Sequence, residues 1–342
     1  MRYRQLIALV FAGLFVSGTA FAVDIPHAEW CTSGTASVDQ AIQGCTSIIE
    51  YGSFAGDKLY SIYSRRGSVY YLSGQYDKAI LDFSMSLKIH PYDSETLEKR
   101  GLAYESDNQF EKALQDYSLV VKINPTSVMV LVQRGGVYEA LGQYDLAIQD
   151  FSQAIKLDPG SELAFYSRGE AYEHTGQHDL AIADFTQGMR LEPGDADNYD
   201  ARGTAYGEMG RYELALRDFD TSLKMRPDSP SSLNGRCWVK TILGRELDAA
   251  LADCNKAVEL KPNDAGTLNS RGLVNLKLKR YADAYSNFDA AFTLDASDAD
   301  SLFGRGIAMN RMQAGKGDAD LAAARKMQAD IGDEYKKRGV DF

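Results

Sequence analysis

His174 and His178 stand four residues apart, the spacing at which one helix face presents two imidazoles to a metal ion. No third ligand follows nearby. His178 also falls where the same local pattern elsewhere carries Tyr76, Phe110, Tyr144 and Tyr212, so the pair reads as turn packing and no metal is expected. His27 and His90 have no neighbours in sequence that would complete a site. With so few histidines, no Gly-rich phosphate loop and no nucleophile elbow, the chain gives no support to catalysis or to a cofactor. Four cysteines, Cys31, Cys45, Cys237 and Cys254, are the remaining reactive groups, and their meaning depends on the elements that carry them.

The first residues set the compartment. Arg2 and Arg4 precede an apolar run from Leu6 to Val16, and Ala20-Phe21-Ala22 follows as a small-x-small cleavage site. Residues 1–22 therefore read as a secretory signal peptide; the apolar run is too short to span a membrane. The expected destination is periplasmic or secreted. Removing 1–22 takes away two arginines and no acids, which moves the net charge from -11 to -13. That balance argues against nucleic acid, whose phosphates need clustered Lys and Arg, and favours a basic partner.

One pattern fills most of the rest. Arg66-Gly67, Arg100-Gly101, Arg134-Gly135, Arg168-Gly169 and Arg202-Gly203 recur every 34 residues, and Arg236-Cys237, Arg271-Gly272 and Arg305-Gly306 continue the series with one 35-residue step. If the residue after each Arg is slot 8, slot 20 is alanine (Ala79, Ala113, Ala147, Ala181, Ala215, Ala250, Ala284). Slot 24 is Phe83, Tyr117, Phe151, Phe185, Phe219, Cys254 and Phe288, and slot 32 is proline from Pro91 to Pro262. Slots 4, 8 and 11, and again 20, 24 and 27, have the spacing of one helix face. Small residues at 8 and 20 let two antiparallel helices approach, glycines at the mid-repeat turn (Gly74, Gly142, Gly176, Gly210, Gly244) end helix A, and the proline stops helix B. One such hairpin cannot cover its own apolar face, so copies stack.

This pattern resembles the tetratricopeptide repeat family over about residues 60–298, with repeats starting near 60, 94, 128, 162, 196, 230 and 265. Arginine at slot 7, where the family usually has leucine, is a departure. The style of the copies resembles exported proteins of Gram-negative bacteria. Residues 23–59 are read as an N-terminal segment with a capping helix, Ala41 lying on slot 20 and Cys45 on slot 24. Residues 299–342 are read as a degenerate eighth repeat and a C-terminal cap. The resemblance implies an all-α fold, a right-handed superhelix (α-solenoid) of about seven full repeats.

The slot-7 arginines suggest a basic stripe, but slot 23 is Asp82, Asp116, Asp150, Asp184, Asp218 and Asp253, with Asn287 the exception. Arg–Asp pairing, inside a repeat or across adjacent ones, is the simpler account. In a solenoid each repeat touches only its neighbours, so Cys45 cannot meet Cys237 or Cys254. Of the three pairings that four cysteines allow, Cys31–Cys45 and Cys237–Cys254 remain. The alternative is thiols that merely fill the space of Gly plus Phe.

In the family, helix A lines a concave groove. Here its slots carry Glu98, Glu105, Glu139, Glu170, Glu173 and Asp200, with Leu102, Tyr166 and Trp238 among them. The lysines and asparagines of the family's two-carboxylate clamp are not in place. The expectation is a non-catalytic scaffold or adaptor for protein–protein interaction in the cell envelope, gripping a basic, partly apolar peptide or protein. A non-catalytic regulatory subunit of an envelope enzyme is the alternative, and a solvated acidic face with no ligand is the bland one.

Overall fold

A computed structural model describes residues 27–51, 54, 56–313 and 315–342. The expected signal peptide, residues 1–22, lies outside them. Nineteen α-helices are the regular elements of the described residues. They fall into two compact units, with the division of the chain between Ala171 and Tyr172.

In the first unit α1 (Ala28–Thr32) and α2 (Val38–Tyr51) precede three hairpins. These are α3 (Asp57–Leu72) with α4 (Tyr76–Ile89), α5 (Ser94–Ser106) with α6 (Phe110–Ile123), and α7 (Val128–Ala140) with α8 (Tyr144–Leu157). Helix α9 (Glu162–His174) carries the unit boundary. The second unit holds α10 (His178–Leu191), then α11 (Ala196–Glu208) with α12 (Tyr212–Met225) and α13 (Pro230–Leu243) with α14 (Leu247–Leu260). It continues through α15 (Ala265–Lys277) with α16 (Tyr281–Leu294), α17 (Ala299–Met312) with α18 (Asp318–Met327), and α19 (Ile331–Lys337). From α3 onward, odd-numbered helices are the A helices of the repeat and even-numbered ones the B helices.

The close approach inside a hairpin is set at slot 8. A Cβ on Gly101 or Gly135 would come within 2.5 Å of the slot-24 ring of Tyr117 or Phe151, and one on Gly272 within 2.8 Å of Phe288. Those rings are fully buried, as are all seven slot-20 alanines. Burying each ring contributes ~2–3 kcal/mol, which no isolated hairpin could collect. The turn between A and B needs a left-handed residue. Glycine supplies it at 74, 142, 176, 210 and 244, while Asn108 (φ 58°) and Lys279 (φ 60°) occupy the same position in the second and seventh copies.

The sixth copy departs from this scheme. Cys237 and Cys254 form a disulfide between α13 and α14 with Cα atoms 5.6 Å apart, and Cys31–Cys45 ties α1 to α2 at 4.6 Å. Both pairs are fully buried. The extra residue of this copy is taken up where Gly244 (φ 66°) and Glu246 (φ 52°) bracket the turn, so the two cysteines keep slots 8 and 24 in register.

Candidate functional site

The slot-7 arginines are tied up within the array. Arg100 places Nε and Nη2 on the two oxygens of Asp116 at 2.8 Å each, and Arg66–Asp82 and Arg134–Asp150 repeat this bidentate geometry in the first unit. Arg202–Asp218 and Arg236–Asp253 repeat it in the second, where Arg305 turns to Asp320 and Arg271 to Asn287. The aspartates are nearly inaccessible, so the pairing is inside one repeat. The remaining guanidinium nitrogen crosses to the preceding copy: Arg66 to Thr46, Arg100 to Ser84, Arg134 to Ser118 and Arg168 to Ser152 in the first unit. In the second, Arg202 reaches Thr186, Arg236 Asp220, Arg271 Asn255 and Arg305 Asp289. Each acceptor stands at slot 25. The slot-11 tyrosines Tyr70, Tyr104, Tyr138 and Tyr206 lie 5.5–5.8 Å under the guanidinium carbons. These arginines hold repeats together, and a ligand would have to break those bonds to use them.

The histidines are likewise engaged. His178 lies 3.1 Å from Glu173, His90 lies 2.7 Å from Asp57, and His27 stacks on Trp30.

The A-helix face of the first unit carries carboxylates in a dry setting. Glu98 on α5 accepts from the Gln133 side chain of α7 at 3.1 Å, and burial raises its carboxyl above the ordinary range. Burial pushes Glu105 up to about 7, although the Tyr117 hydroxyl donates to it at 3.2 Å and pulls the other way. Burial, with the charge of Glu170 added, pushes Glu139 up to about 7. Glu139 Oε1 is buried without a hydrogen-bond partner. Glu170 in turn accepts from Tyr166 one turn away on α9 at 3.1 Å. A carboxylate left partnerless away from water costs free energy that a cation could recover.

Leu102 does not belong to this face. It is 1% exposed and packs in the core of the first unit with Val130 and Val137 of the next A helix. Its assignment to a partner groove is therefore corrected to core.

In the second unit two acids of the same face have hydrogen-bond partners. Burial raises Glu173, against the opposing pull of His178. Burial raises Asp200 as well, while the hydroxyl of Ser232 donates to it at 2.6 Å. Trp238 is half-buried on α13, edge-on to Tyr212 with centroids 6.0 Å apart, in space left open by Gly207. Lys277 caps the carbonyls of Thr241 and Ile242, and burial lowers its pKa.

Family models described as tetratricopeptide repeat match residues 94–127, 163–195 and 201–265, and one described as TPR repeat matches 135–176. This is a tetratricopeptide repeat protein. Among solved structures, a tetratricopeptide repeat protein from Parabacteroides merdae aligns with TM-score 0.62 at 18% identity, over 74% of this chain and 100% of that one. The Cut9–Hcn1 hetero-tetramer of the APC/C aligns with TM-score 0.62 at 17% identity, over 92% of this chain and 62% of that one. A repeat protein from Cytophaga hutchinsonii aligns with TM-score 0.55 at 20% identity, over 68% and 94%. At such identities the likeness establishes the α-solenoid fold alone. No curated protein matches the sequence.

Within this tetratricopeptide repeat chain, the slot-25 row escaped notice in the sequence. Its signal was present: every acceptor is Thr, Ser, Asn or Asp, and from Ser84 onward it stands sixteen residues before the arginine that uses it. The dryness around Glu105 and Glu139 left no such signal, because it depends on which neighbours fold over them.

Proposed function

We propose that the protein is an exported scaffold that holds a basic, partly apolar segment of a partner protein along its A helices. One observation carries this reading: Glu139 keeps a buried oxygen without a partner beside the carboxylate of Glu170. Buried charges are ordinarily paired, and a lysine or arginine from outside would complete this pair. Half-buried Tyr166, Leu163 and Met129 on the same two helices supply the apolar part of the surface. The role as a non-catalytic protein-binding scaffold follows the habit of tetratricopeptide repeats. Two buried disulfides support export, since such bonds persist in oxidising compartments.

The test is crosslinked capture from exported material with the native chain and with Glu139→Lys plus Glu170→Lys. A stoichiometric partner that is held by the native chain, released by salt and absent from the folded variant supports the reading. Capture that is indifferent to both changes overturns it. A captured enzyme whose rate responds to binding would favour a regulatory subunit over a passive scaffold.

A further inference from the structure

On α17 the A-helix face turns apolar. Phe303 and Ile307 stand at slots 5 and 9, where α11 has Asp200 and Thr204, and both are inaccessible to solvent. What covers them is segment 331–342. Tyr335 sets its ring 5.0 Å from Phe303, Phe342 meets Phe303 edge-on at 4.9 Å, and Val340 is 6% exposed. The Tyr335 hydroxyl donates to the Asp300 carbonyl at 2.9 Å, and Arg338 donates to Asp300 Oδ2 at 2.5 Å. The segment leaves the helix at Gly339 (φ 73°), which turns Val340 and Phe342 back over the aromatic cluster.

Two features separate this packing from the joints between repeats. The arginine ladder ends with Arg305, Asp289 and Asp320, and Arg338 takes no part in it. Arg338 also grips its carboxylate at one oxygen only. Asp300 Oδ1 is buried with no hydrogen-bond partner, whereas the bidentate aspartates Asp82, Asp116, Asp150, Asp218 and Asp253 use both oxygens. The occupant is thus basic and aromatic, as the acidic face asks, but it leaves a polar atom unsatisfied at a cost of ~1–3 kcal/mol.

We propose that the A-helix face of α17 is a peptide seat which segment 331–342 fills in cis, in place of a partner segment with an aromatic residue three positions before an arginine. A partner arginine that reaches both oxygens of Asp300 gains the bond that Arg338 leaves unmade, and this is what allows exchange. The proposal rests on the reading of the A helices as a peptide-binding face, but concerns a different set of residues.

The probe is a fluorescent peptide of sequence IGDEYKKRGVDF, residues 331–342 themselves. The full chain carrying Tyr335→Ala and Arg338→Ala holds its own segment more weakly, and should bind the peptide at least ~10-fold tighter than the native chain does. Adding Asp300→Ala should weaken that binding ~10-fold, the loss of one charge-assisted bond. A cooperatively folded variant that binds no tighter than the native chain overturns the proposal. So does binding that ignores Asp300→Ala but vanishes with Glu139→Gln plus Glu170→Gln, an outcome that leaves the scaffold reading standing. Should the variant fail to fold, the isotope-labelled native chain decides. Saturating unlabelled peptide should speed hydrogen exchange of amides 333–340 at least ~3-fold by displacing them, and unchanged exchange overturns the proposal.

Discussion

At the scale of single residues, burial decides which charges matter. Asp116 is 5% exposed and bidentate to Arg100, so Asp116→Ala strands a half-buried guanidinium and should cost ~2–3 kcal/mol in chemical denaturation. Asp179, which meets Arg211 at 3.3 Å with both side chains largely in water, should change stability by less than ~0.5 kcal/mol when replaced by alanine. Glu105 makes stability depend on pH. Its folded carboxyl titrates at about 7 and its unfolded one near 4.5, so between those values only the folded state holds the proton. Stability therefore rises as pH falls from 8 to 5, by ~2 kcal/mol for this group after discounting its residual solvent contact. Glu105→Gln, which still accepts from Tyr117, should be the more stable protein at pH 8 and should flatten that slope in urea midpoints. The arginine and aspartate rows could be read from the sequence because they recur. The partnerless oxygen of Glu139 could not, since it arises from what is absent around it.

At the scale of helices, the slot-8 contact reverses a familiar rule. Alanine in place of a helical glycine ordinarily stabilises by ~1 kcal/mol. At Gly135 the new Cβ would stand 2.5 Å from the Phe151 ring, so Gly135→Ala should destabilise by ~1–3 kcal/mol, while at Gly207 the nearest atom is 3.5 Å away and the ordinary gain should appear in thermal melts. The sixth hairpin offers a complementary test. Cys254→Ala opens a 17-residue loop and removes packing, for an expected loss of ~3 kcal/mol. Cys237→Gly with Cys254→Phe rebuilds the contact its sister copies use and should recover at least half of that. If the pair recovers nothing, the bond has no equivalent in packing. Hairpin boundaries were legible here because Gly, Ala and Pro each answer a local steric demand. Asn108 and Lys279 at the left-handed turn were not, because their residue types do not advertise that conformation.

For the molecule as a whole, the charge of -11 works against compaction. Exposed like charges are screened by salt, whereas the buried ladder is screened far less, so raising NaCl from about 0.02 M to 0.5 M should raise the thermal midpoint. A fall would mean that surface ion pairs outweigh the net repulsion. The repeat fold was almost wholly legible, since a 34-residue period constrains the same contacts many times over. The seat on α17 was not, because segment 331–342 breaks the period in function while it resembles it in sequence, with Arg338-Gly339 following Arg305-Gly306 by 33 residues. The ladder arginines bond their own copy, through two nitrogens at Arg66, Arg100, Arg134, Arg202 and Arg236 and through Nε at Arg271 and Arg305, and reach the copy before with another nitrogen, so each repeat module brings one half of a joint at either end. Duplicating or deleting a module, cut just after slot 25, leaves each surviving joint with a matching half. Chain length is then free to drift by whole modules over evolutionary time, while the composition of the joint stays fixed.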